Sequence, residues 1–234
     1  MQEGAHQMMG YDRASTMFSP DGRLLQVEYA KEAVRQGSIA IGVVCSDGVI
    51  LVADKRVADD LVVAESVEKI FQVDKHIGGT AIGYVMDGRV LLERAQMIAQ
   101  QHQITYSVPI ETKILIKEVS DIKQSYTQYG GARPFGVSIL FMGVDDEPTL
   151  FITEPTGIYF QYNAIALGDG SDAVKEILRK EYSKDLTMDQ GIKLCVKAIK
   201  KVLGKEFDLR RIDGAYIDIK DKEFKFIEKR KLKA

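Results

Sequence analysis

The chain has 234 residues, 45% hydrophobic and 28% charged, with a formal net charge of −2. That is enough apolar material for a sizeable core, and the near balance of 32 Lys plus Arg against 34 Asp plus Glu excludes the basic surplus of a dedicated nucleic-acid binder. No apolar run approaches the ~20 residues that cross a bilayer, and MQEGAHQMMG lacks the apolar centre of a signal peptide, so a cytoplasmic protein away from membranes is expected.

Residues 1–10 are polar, Gly-containing and without period, and should be mobile unless something outside the domain orders them. Ser19-Pro20-Asp21-Gly22 reads as a turn and helix start. In the helix after it, Leu24, Val27, Ala30 and Val34 form one apolar stripe beside a second of Leu25, Tyr29 and Ala33. Two adjacent stripes point to burial against more than the chain's own core, such as a neighbouring subunit.

From Ser38 the period changes to that of strands. SIAIGVVC, a turn at Ser46-Asp47-Gly48 and VILVADKR form a hairpin, and KIFQVD and GTAIGYV extend the sheet. Residues 87–104 and 109–128 read as two helices, with Val90, Leu91, Arg94, Ala95 and Ile98 at helical spacing in the first. Four more strands follow over 135–168, then helices at 171–183 and 187–203, and strands near 212–219 and 223–227. Strand blocks alternating with helix pairs predict an α+β four-layer αββα sandwich: two stacked antiparallel sheets between helix layers, with an extra N-terminal helix. No repeat or linker divides the chain.

Cys45 and Cys195 fall in buried-strand and buried-helix patterns, which fits a reducing compartment and no disulfide. His6, His76 and His102 have no metal-binding spacing and read as surface or helix-face residues, so neither a metal nor a cofactor is expected. The basic C-terminal run EKRKLKA reads as a solvated tail. Gly168-Asp169-Gly170-Ser171-Asp172-Ala173 has the GxGxxA skeleton of a dinucleotide fingerprint, but it follows hairpins instead of opening a βαβ unit. A tight strand-to-helix turn is the favoured reading and phosphate binding the alternative. Gly130-Gly131 lacks the Lys-Ser/Thr of a P-loop and reads as a helix C-cap.

Residues 11–30, YDRASTMFSPDGRLLQVEYA, together with Gly37-Ser38, SVEKIFQVD (66–74), DGRVLLERAQ (87–96), YTQYGGARPFGVSILFMGVD (126–145) and ALGDGSDA (166–173), resemble the α-type subunits of proteasome core particles. The likeness covers nearly the whole chain and leans to archaeal members. It implies the fold of the N-terminal nucleophile hydrolases, whose active members use a free α-amino group as the base for a Thr, Ser or Cys at residue one. The matching position here is Ser38, with Asp54 and Lys69 as its acidic and lysine partners. The Ser38 nitrogen, however, is an amide whose delocalised lone pair takes up no proton. The resemblance therefore implies a non-catalytic subunit of a threonine-protease complex; the alternative is an autoprocessed hydrolase cleaved between Gly37 and Ser38.

Further expectations come from the same resemblance. Residues 1–12 would be a flexible gate segment and 13–234 a single domain. Tyr11, Asp12, Arg13, Pro20 and Tyr29 match the cluster that holds the N-terminal gate open. Lys69, Gly37 and Gly83 match a pocket that takes the C-terminal carboxylate of an activator, the bland alternative for Lys69 being a pair with Asp54 or Glu68. Tyr84 departs from the Leu common at its position. The implied partners are other α subunits in a ring of seven, β subunits carrying the peptidase activity, an ATPase activator or regulatory particle, and unfolded polypeptide substrates in ATP-dependent degradation.

Overall fold

The computed structural model describes residues 10–57 and 61–233. His6 and the first nine residues of the expected gate segment lie outside them. The described residues form ten strands and five α-helices. The strands are β1 Ala40–Cys45, β2 Gly48–Asp54, β3 Ile70–Asp74, β4 Ile77–Gly83, β5 Val137–Val144, β6 Pro148–Thr153, β7 Tyr159–Gln161, β8 Ala164–Leu167, β9 Ile212–Asp218 and β10 Phe224–Phe226. The helices are α1 Leu25–Arg35, α2 Val85–Tyr106, α3 Thr112–Tyr126, α4 Ser171–Glu181 and α5 Met188–Leu203.

Two five-stranded antiparallel sheets result, in the orders β10-β9-β2-β1-β8 and β3-β4-β5-β6-β7. They stack through Val49, Leu51, Ala53, Leu140, Met142 and Leu150, all buried. Alternate residues of the same strands face outward into two further cores. Ile50 and Val52 meet Val174, Ile177, Ile192 and Cys195 of α4 and α5, and Ile139 and Phe141 meet Leu91, Leu92, Leu115 and Val119 of α2 and α3. This is the expected four-layer αββα sandwich. It also explains why β2 and β5 read as unbroken apolar runs: both of their faces are covered.

Four local expectations are corrected. Ser19-Asp21-Gly22 makes the turn but does not start the helix, which begins at Leu25 behind an uncapped Leu24. The Ser19 hydroxyl donates to Asp21 Oδ1 at 2.5 Å and accepts from Arg23 N at 3.1 Å, so it is used up within the turn. α3 ends at Tyr126 with Thr127 as its cap, leaving Gly130-Gly131 in the following turn. His76 is buried, its Nε2 2.9 Å from the Ile110 carbonyl, because the β3–β4 turn tucks it beneath the start of α3. The C-terminal run is not a solvated tail: Leu232 is fully buried among α4 and α5 residues, and Lys229 Nζ donates to the Ile212 carbonyl at 2.5 Å. One leucine among cations is enough to anchor the run while the charges reach water.

Both cysteines are free and buried, as expected. The Gly168–Ala173 segment is the tight turn from β8 into α4, with φ +95° at Gly168 and +74° at Gly170.

Candidate functional site

The residues expected to form a docking pocket meet where the C-terminus of α1, the end of β4 and the β8–α4 turn converge. Gly37 follows α1 and donates its N–H to Val34 O at 3.1 Å, while its carbonyl accepts from Asp169 N at 2.8 Å. A Cβ on Gly37 would lie 2.5 Å from Gly83 N, so the two backbones come this close only because residue 37 has no side chain. Gly83 is held further still. Its φ is +119°, and a Cβ there would lie 2.3 Å from Gly136 O.

Lys69 precedes β3 and is 8% exposed. Its Nζ donates to the Ala81 carbonyl at 2.6 Å, two residues before Gly83, and its own carbonyl accepts from Thr80 Oγ1 at 2.8 Å. Lys69 thus reaches the same end of β4 that Gly37 packs against. Among the described residues it has no ion pair. Burial pushes the ammonium down to about 8; the charge of Asp54 opposes that shift and the charge of Arg56 adds to it.

Asp54, 1% exposed, does not bond Lys69. Its carboxylate accepts from Arg211 Nε at 3.0 Å and Nη2 at 2.7 Å, and from Arg56 N at 2.9 Å. Glu68 is exposed. The in-fold pairing of Lys69 with either carboxylate is therefore absent. Arg56 adopts φ +47° and sends Nη1 to the Gln36 carbonyl at 3.0 Å and Nη2 to Asp169 at 3.2 Å, tying the end of α1 to the β8–α4 turn. Sequence reasoning missed Arg56 and Arg211. Arg56 lies within the VADKR run that carried Asp54, but Arg211 lies 157 residues from its partner, and no spacing signal joins them.

Ser38, half-buried, lies between this junction and β1. Its nitrogen is an amide, and α1 before it is anchored by buried Leu25, Val27, Ala30 and Val34. The Ser38, Asp54 and Lys69 constellation thus lacks its base.

The residues expected at the gate are spread over three places. Tyr11 and Asp12 are half-buried and Arg13 is exposed. Gln26 of α1 donates to the Asp12 carbonyl at 2.6 Å, and Arg13 N donates to Gly10 O at 3.1 Å. Pro20 sits exposed in the turn closed by Gly22 N donating to Ser19 O at 2.8 Å. Tyr29 lies on the open side of α1 and lines a cleft of about 430 Å³ with Tyr84, Arg133 and Gly136. Arg133 stacks over the Tyr84 ring at 5.7 Å and is fixed by two hydrogen bonds to Asp87, at 2.6 and 2.8 Å. Burial alone would raise the Asp87 carboxyl, but the bonds from Arg133 and Gly136 N hold it below the usual carboxylate range.

No group of three or more His, Cys, Asp or Glu among the described residues has metal-binding geometry. No helix among them is long and apolar enough to cross a membrane.

Comparison with known proteins gives the family. A family model described as proteasome subunit matches residues 34–217, and a second, for the N-terminal signature of the A-type proteasome subunit, matches residues 11–33. The chain is 48% identical over 225 residues to the proteasome alpha subunit of Archaeoglobus fulgidus, covering 96% of this chain and 92% of that protein. It is 47% identical over 224 residues to that of Methanocaldococcus jannaschii, covering 95% and 85%. It is 47% identical over 218 residues to that of Thermococcus sibiricus, covering 93% and 84%. The chain belongs to the proteasome subunit family, as one of its non-catalytic α-type members.

Proposed function

We propose that this α-type chain forms the outer ring of a proteasome core particle, seven copies or close relatives packing head to tail, and gates the entry of unfolded polypeptide to peptidase-bearing β subunits. The ring would template those β subunits and work with an ATPase activator in the cytoplasm. The observation that carries the docking part is Lys69: a buried ammonium that donates to the Ala81 carbonyl and forms no ion pair among the described residues. A chain-terminal carboxylate is the natural complement of such a group, giving a charge-assisted hydrogen bond where solvent competes poorly. The glycines at 37 and 83 leave backbone bare of side chains, so that an incoming main chain can approach.

In the gate, Asp12 is tied to α1 through Gln26, and the turn at Pro20 lies between the tail and that helix. A carboxylate seated near the C-terminus of α1 can therefore bias the tail through one rigid helix. An activator opens the pore to the extent that it binds the open arrangement better than the closed one.

Native mass spectrometry of the chain expressed alone, with and without an activator-type peptide, tests the proposal. A seven-chain ring that binds a free-carboxylate peptide but not its C-terminal amide is expected. A persistent monomer would overturn the ring, and equal binding of acid and amide would overturn the Lys69 docking.

A further inference from the structure

A second cleft, of about 370 Å³, opens between α1 and the start of α4, on the mouth of the inter-sheet core. Its floor is Val34, Ile152 and Leu167, which also pack against the core between the sheets. Three cations stand around it: Lys31 and Arg35 from α1 and Lys175 from α4. Among the described residues each is held only by a carboxylate on its own helix, at 3.9, 3.5 and 3.3 Å respectively. Such pairs are partly exposed and weak, so all three cations can turn to a ligand.

The wall formed by Gly168, Gly170 and Ser171 is the N-terminus of the 11-residue helix α4, whose cap residue, Gly170, supplies no side-chain hydrogen bond. Ser171 N already donates to Gly168 O at 3.1 Å, and it is the positive end of the helix dipole that favours an anion there. An independent feature lies on the cleft floor. Ser138 of β5 is 2% exposed, contributes to the cleft lining, and its hydroxyl has no hydrogen-bond partner among the described residues. A buried hydroxyl left without a partner costs free energy, and here it is available to whatever enters. Glu154 and Asp172 also line the cleft. Against three cations and a helix N-terminus they leave the site positive overall.

We infer that this cleft binds a small phosphomonoester, its phosphate oxygens meeting the α4 N-terminus, Arg35 and Lys175, and its organic group lying on Val34, Ile152 and Leu167 beside the Ser138 hydroxyl. Arg35 suits the bidentate geometry of phosphate, and the apolar floor favours an ester over the free ion. The cleft shares the C-terminus of α1 and the β8–α4 turn with the docking site, but Lys69, Gly37 and Gly83 are not in its lining.

The full-length chain is titrated by isothermal calorimetry with inorganic phosphate, phenyl phosphate and benzoate at matched ionic strength. One saturable site per chain is expected, with phenyl phosphate tightest. Arg35→Ala should weaken phenyl phosphate about tenfold, and Ser138→Ala, which removes one oxygen, about threefold or more. Lys184→Ala, outside the cleft, should leave binding unchanged. Non-saturable binding, equal loss in the Lys184 variant, an unaffected Ser138 variant, or benzoate tighter than phenyl phosphate would each overturn the inference.

Discussion

Arg211 closes on Asp54 through two hydrogen bonds of 3.0 and 2.7 Å, and this pairing leaves the neighbouring Lys69 without a counter-ion among the described residues. Asp54 is 1% exposed, so removing its partner strands a buried charge. Arg211→Met should lower stability by about 3–5 kcal/mol in urea denaturation, and Asp54→Asn combined with Arg211→Met should recover much of that loss. Equal stabilities of the single and double variants would mean that the pair does not act as a unit.

Lys69 should make peptide docking depend on pH. Its folded value of about 8 lies below the ordinary 10.5, so between these limits the unfolded chain holds more protons and the Lys69 contribution to stability rises with pH. Docking runs the other way, because a carboxylate needs the protonated amine. Affinity for a free-carboxylate peptide, read by fluorescence anisotropy, should fall as pH rises through about 8. Lys69→Met should abolish both the binding and the pH trend.

A methyl group at Gly83 has no room and meets an unfavourable backbone angle. Gly83→Ala should cost about 1–3 kcal/mol, seen as a drop of several degrees in Tm. Gly37→Ala, which drives a Cβ against Gly83 N, should weaken peptide docking as well. An unchanged Tm in the Gly83 variant would show that the β4–β5 end can move apart freely.

Both thiols should resist alkylation in the native chain. Burial, with Asp47 adding to it, pushes Cys45 up to about 12; burial likewise raises Cys195, with Cys45 adding to it. Iodoacetamide at pH 8 should label neither until the chain is unfolded. Mass spectrometry that finds native labelling would reveal local opening of β1 against α5.

Residues 1–12 and Pro20 are predicted to control passage. In particles reconstituted with β subunits, deleting residues 1–12 should raise hydrolysis of a long unfolded substrate several-fold and change turnover of a tripeptide little. Equal rates for intact and truncated rings with the long substrate would remove the gate reading.

The layer architecture was legible because strand and helix periods leave local marks. β1, β2, β5 and the five helices appear within a few residues of their expected ends, since their apolar runs are set by which faces are covered. The α-type character was equally plain in residues 11–30, which fall within the 11–33 matched by the N-terminal signature, because a signature is a local string. Local signals failed where one side chain had two possible uses. Ser19 serves a turn instead of a cap, Leu232 pulls a basic run onto the core, and His76 falls under α3. That Ser38 carries an amide nitrogen, and that glycine stands at 37 and 83, is written in the order of residues. That those glycines touch, that Arg211 rather than Lys69 takes Asp54, and that Ser138 lines a cleft follows from the folded arrangement. Such pairings join residues up to 157 positions apart, and they are settled by which strands lie side by side and which groups lose water together.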